Sequence, residues 1–135
     1  MTPTLRFVIV RSIGVLTVIV ATTLLVAIVD RAWPDDVSRT VGYPRWLLWA
    51  GLLSAAHLVG GLAGGGVAAA LDRLRPRASV AWVGTVVFIL LSVPAVGAFD
   101  RPVEVASMVF LNLITVIGVV GGGALVAATL KTSQT

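Results

Sequence analysis

The sequence predicts an all-α polytopic membrane protein, four transmembrane helices arranged as two helical hairpins in one bundle. Three observations predict it. First, of 135 residues 58% are hydrophobic and only 12% are charged, with a mean hydropathy of +1.03. A soluble domain carries about 25% charged residues, and one of this length leaves about a third of its unfolded surface in water; this chain lacks the charge to cover it. Second, four apolar stretches each exceed the roughly 20 helical residues that cross a bilayer core. Third, nearly all the charges fall between those stretches. A water-soluble globule, a disordered chain and a nucleic-acid binder are excluded together. The high pI, about 11.2, comes from nine arginines and Lys131 spread among the connections, where basic residues orient membrane helices.

The expected spans cover residues 7–29, 46–71, 78–99 and 105–130, a single transmembrane domain over residues 1–135. Val and Ile are abundant in the first and third, but apolar runs beyond about 18 residues argue helix. An open sheet in lipid would leave backbone groups unpaired, and the alternating segments of about ten residues that mark a membrane barrel are missing. The first span follows basic residues, as a signal peptide would. Its apolar run is too long, and no small-x-small cleavage site precedes Asp30, so it is expected to be retained.

With four spans, the N-terminus, the 72–77 connection and the C-terminal tail share one side. That side carries Arg6, Arg11, Arg73, Arg75, Arg77 and Lys131, against four basic residues on the other. The positive-inside bias makes both termini cytoplasmic. Arg73, Arg75 and Arg77 are the topology determinant and the natural contact for anionic lipid. Arg11, about one turn inside the first span, is expected to snorkel to the headgroups. Trp33, Tyr43, Trp46 and Trp49 form an aromatic belt at the outer ends of spans one and two, with Trp82 at the opposite interface. Pro34, Asp35 and Asp36 mark a helical turn in the outer loop.

The strongest local signal is the run Gly60-Gly61-Leu62-Ala63-Gly64-Gly65-Gly66. Gly60 and Gly64 form one small-xxx-small register, extended by Ala56 and Ala68; Gly61, Gly65 and Ala69 form the adjacent one. Span four repeats the device with Gly118 and Gly122. Small residues four apart let helix backbones approach closely, either within the chain or against a partner, and two registers in span two leave room for both. Superposing residues 58–71 on 116–129 brings Gly60, Gly64 and Gly65 over Gly118, Gly122 and Gly123, which suggests hairpins related as a parallel repeat.

Polar residues deep in a bilayer are candidate functional groups. His57 falls near the midplane, about 16 Å along the second span. Asn112 lies about a turn nearer the outer surface, with Thr115 on its stripe. A His57–Asn112 hydrogen bond would lock spans two and four in register; the competing readings are proton or metal chemistry at His57. One histidine in a chain without cysteine does not complete a zinc site. No G-x-S-x-G, H-E-x-x-H, P-loop or dinucleotide fingerprint occurs, so neither a catalytic residue nor a cofactor or metal is expected.

The layout is a short basic start, an outer loop, a Gly-Gly helix ending in an arginine-rich turn, and two further spans. It resembles small bacterial four-span integral membrane proteins, which implies an inner-membrane location and no particular activity. The expected function is non-enzymatic: an accessory or assembly subunit of a larger membrane complex, or a homo-oligomer, packing through its glycine faces. The alternative is a small oligomeric channel or transporter with a polar track through His57, Asn112 and Thr115.

Overall fold

Helix length here is set by the need to carry backbone hydrogen bonds through hydrocarbon, and the helices overrun the apolar stretches that demand them. The computed structural model describes residues 3–32, 43–96 and 101–132. They form α1 (Pro3–Ala32), α2 (Tyr43–Leu71), α3 (Pro76–Val96) and α4 (Pro102–Thr132), with no strand among the described residues. Each is long and apolar enough to cross a membrane. α1 and α4, of 30 and 31 residues, span about 45 Å at 1.5 Å per residue, against a hydrocarbon core of about 30 Å. Their ends therefore reach into the headgroup layer, which accounts for the few residues added beyond the expected spans. Residues 97–99 of the expected third span, and the expected turn at Pro34, Asp35 and Asp36, lie outside the described residues.

The tight reversal between α2 and α3 follows from its sequence, Asp72-Arg73-Leu74-Arg75-Pro76. Pro76 excludes the preceding residue from helical geometry and suits the first helical position itself. The Arg75 amide donates to both the Asp72 carbonyl and Asp72 Oδ1, each at 3.2 Å, an Asx-type turn. The Ser79 amide then donates to the Arg75 carbonyl at 3.1 Å and opens α3. α4 begins the same way: Pro102 is its first residue, and the Val105 amide donates to the Arg101 carbonyl at 3.1 Å. Pro94 stands in the last turn of α3, so a kink caused by its missing amide displaces only the helix end.

Around the bundle the order is α1, α2, α4, α3. α2 packs most extensively on α4, then on α1, and also touches α3; α1 and α4 barely meet. A twofold axis relating hairpin α1–α2 to hairpin α3–α4 would make α1 touch α4 as α2 touches α3, so the two hairpins are not arranged symmetrically.

The interior is made of small side chains. Val15, Val18, Ala68, Ala69, Val80, Val83, Val87 and Val119 form the core cluster, and no apolar side chain larger than valine is fully buried among the described residues. Leu16, Leu24, Ile28, Phe110, Ile117 and Leu125 point outward. Lipid is as apolar as leucine, so nothing drives large residues inward, and close backbone approach supplies the cohesion instead.

Candidate functional site

The two glycine registers of α2 face two different helices. Gly60 and Gly64 meet α1: a Cβ on Gly60 would stand 2.9 Å from the Thr22 amide nitrogen, and one on Gly64 2.8 Å from the Gly14 carbonyl oxygen. Gly61 and Gly65 meet α4: a Cβ on Gly61 would stand 3.0 Å from Gly118 Cα, and one on Gly65 2.7 Å from Val119 Cα. Gly118 and Gly122 answer from the other side, against Gly61 and Leu62. The contacts advance together along α2 and α4, so these helices run parallel; against α1 they run in opposite order. All six glycines named from the sequence are buried, and so are Ala56 and Ala68 in the first register and Ala69 in the second. Both registers are therefore closed within the chain, and the room foreseen for a partner on one of them is taken by α1.

Two partners of this crossing were not foreseen. Gly14 lies where α1, α2 and α3 converge, its missing Cβ 2.9 Å from Val83 Cγ2 and 3.0 Å from Ala68 Cβ. Thr22 is 6% exposed, and its hydroxyl, which has no hydrogen-bond partner, packs into the notch over Gly60. Cα–H groups at such helix crossings commonly face oxygen in this way. Gly14, Val18 and Thr22 recur every four residues on α1, a pattern visible in the sequence but diluted by the valines and isoleucines around it.

The expected His57–Asn112 bond does not form. His57 is half-buried, and its Nδ1 donates to the Leu53 carbonyl of its own helix at 2.9 Å. Asn112 is buried, and its Nδ2 donates to Ser92 Oγ on α3 at 3.2 Å. The reason is angular. Thr115, Gly118 and Gly122 line the α4 face toward α2, whereas Val116 and Gly123 turn toward α3, where the Asn112 amide also bonds; Val119 lies between, its backbone against Gly65 and its Cγ1 toward Gly84. Thr115 is fully buried, its hydroxyl donating to the Leu111 carbonyl at 3.0 Å. The three polar residues of the expected track are thus bonded to three separate acceptors and not to one another. Interhelical bonds in lipid average about 0.6 kcal/mol with a maximum near 1.7. Asn112→Ala is expected to cost within that range, and a double-mutant cycle with Ser92→Ala should recover the same coupling.

Arg11 has partners that no spacing in the sequence announces. Its side chain is 5% exposed, taken up between α1 and α3 beside the α2–α3 turn. Its Nε donates to Ser79 Oγ at 3.2 Å, and the Ser79 hydroxyl, fully buried, donates in turn to Asp72 Oδ2. The guanidinium carbon lies 3.1 Å from the Phe7 ring centre and 5.8 Å from that of Trp82. Two aromatic faces and a relayed carboxylate thus replace the water a buried cation loses. Arg73, Arg75 and Arg77, by contrast, are exposed. With Lys131 they surround an open cleft of about 1210 Å³ between the start of α3 and the end of α4.

Comparison with models of protein families, with characterised proteins and with solved structures found no match.

Proposed function

We propose that this chain is a non-enzymatic accessory or assembly subunit of a larger membrane complex, placed in a bacterial inner membrane with both termini in the cytoplasm. The observation that carries the reading is the closure of both α2 glycine registers inside the chain. The small-residue packing is used to build a preassembled bundle, and His57, Asn112 and Thr115 are each bonded within it. What the protein presents to its surroundings in the bilayer is therefore its rim of large aliphatic side chains. On α1 these include Leu16, Leu24 and Ile28, at 58%, 60% and 63% exposure. A partner subunit or a second copy would meet this rim, not the glycines. A channel reading lacks comparable support, because Asn112 and Thr115 serve different helix contacts.

The test is mild extraction from the native membrane followed by crosslinking and mass analysis. The expected result is a species heavier than the monomer, weakened by Leu16→Ala with Leu24→Ala while the bundle keeps its helical content. A strict monomer with no co-purifying membrane protein would overturn the proposal.

A further inference from the structure

The basic cleft between α3 and α4 has a shape and a charge distribution that together specify an occupant. α3 and α4 are in close contact at Val80 and Gly123, where a Cβ on Gly123 would stand 3.0 Å from Val80 Cγ1. From there toward the basic end they leave a cleft, walled by Ala78 and Ala81 on one side and by Ala124, Ala127 and Ala128 on the other. Alanines on both walls are too short to fill the gap. At about 1210 Å³ the cleft exceeds the roughly 300–1,000 Å³ of an ordinary small-molecule pocket. Its floor reaches Val120, eleven residues below Lys131 on α4. At 1.5 Å per residue that depth is about 16 Å, half of a hydrocarbon core of about 30 Å and so one leaflet.

The mouth is cationic. Arg73, Arg75 and Arg77 come from the α2–α3 turn and the start of α3, and Lys131 comes from the last turn of α4. Asp72, the one acid in the turn, is engaged by the Ser79 hydroxyl and the Arg75 amide, leaving the four cations to whatever enters. Leu74 between them is 84% exposed, an apolar side chain at the level where lipid begins.

We propose that this cleft is a binding site for one anionic phospholipid, its phosphate held among Arg75, Arg77 and Lys131 and an acyl chain laid along Ala124 and Ala127 toward Val120. Guanidinium groups match phosphate oxygens in bidentate geometry, and the depth of the groove suits an acyl chain and not a free anion. The site needs no protein partner, so it stands or falls separately from the accessory-subunit reading.

The test is native mass spectrometry of the delipidated protein in detergent, titrated with phosphatidylglycerol or with phosphatidylcholine. Phosphatidylglycerol is expected to be retained as a single adduct and phosphatidylcholine to be lost. Arg77→Gln with Lys131→Gln should weaken retention about thirtyfold, the factor corresponding to two cations at about 1 kcal/mol each. Ala127→Leu should weaken it too, with all charges in place, and Ala124→Leu, at an exposed position, serves where Ala127→Leu alters the melting midpoint. Equal retention of the two lipids, unchanged binding in both leucine variants, or displacement by excess inorganic phosphate would each overturn the proposal.

Discussion

Gly65→Leu is expected to abolish the folded bundle. A Cβ at this position would stand 2.6 Å from the Val119 carbonyl carbon and 2.7 Å from its Cα, so the obstacle is backbone, which cannot rotate aside. Overpacking a well-filled interior costs typically 1–3 kcal/mol. Separating two helices along their main contact should exceed about 3 kcal/mol, a large part of the 5–15 kcal/mol that holds a typical domain. The neighbouring glycines supply the controls. Gly66→Ala should be tolerated, because its Cβ would meet only Val126 Cγ2 at 3.5 Å and the Gly122 carbonyl at 3.8 Å. Nothing lies within 4 Å of a Cβ on Gly51, and Gly51→Ala should stabilise by about 0.5–1 kcal/mol through lower backbone entropy. Denaturant unfolding in micelles, followed by circular dichroism, should rank the three variants in that order; tolerance of Gly65→Leu would refute the α2–α4 crossing.

Asp72→Ala is expected to be the most damaging change at a polar residue. It removes the acceptor of the Ser79 hydroxyl and one of the two acceptors of the Arg75 amide, and it takes away the carboxylate that faces buried Arg11 through Ser79. Hydrogen bonds to charged groups contribute about 1.5–3 kcal/mol, and isolating a buried charge costs 3–5 kcal/mol; the relay through a hydroxyl places this variant near about 3 kcal/mol. Asp72→Asn, which keeps an acceptor but not the charge, should lose less. Ser79→Ala, which breaks the relay at its centre, should fall between them. Arg11→Met in the Asp72→Ala background is the decisive measurement: removing the stranded cation should restore part of the lost stability, and further loss would contradict the coupling.

Much of this architecture can be read from the chain. Span number, helical class and the two glycine registers follow from apolar run length and four-residue spacing, which are local properties. The partner of each register does not follow, because a small-xxx-small stripe fits any helix that can approach it. Asn112 shows the same limit at finer scale. Three residues from Thr115, it shares that residue's stripe in the sequence, yet at about 100° per residue the remaining offset of about 60° is enough to turn it to α3. Arg11, Asp72 and Ser79 come from two helices and a turn, 61 and 68 residues from Arg11 along the chain, and no spacing rule joins them. Snorkelling is the natural reading of a lone arginine near a helix end; only the packed structure brings Phe7, Trp82 and Ser79 around it.

The pairing of α2 with α4 also sets a schedule for synthesis. Gly61 meets a helix whose matching glycine, Gly118, is 57 residues further along. At about 5–20 residues per second, domains being completed as the chain emerges, the second face of α2 waits roughly 3–11 s after its own synthesis before its partner exists. Throughout that interval a glycine-lined helix stands half-clothed in the bilayer, held by α1 alone and then touched by α3. A chain halted before α4 therefore lacks the partner of the Gly61 and Gly65 face, and that small-residue stripe would stand open to lipid.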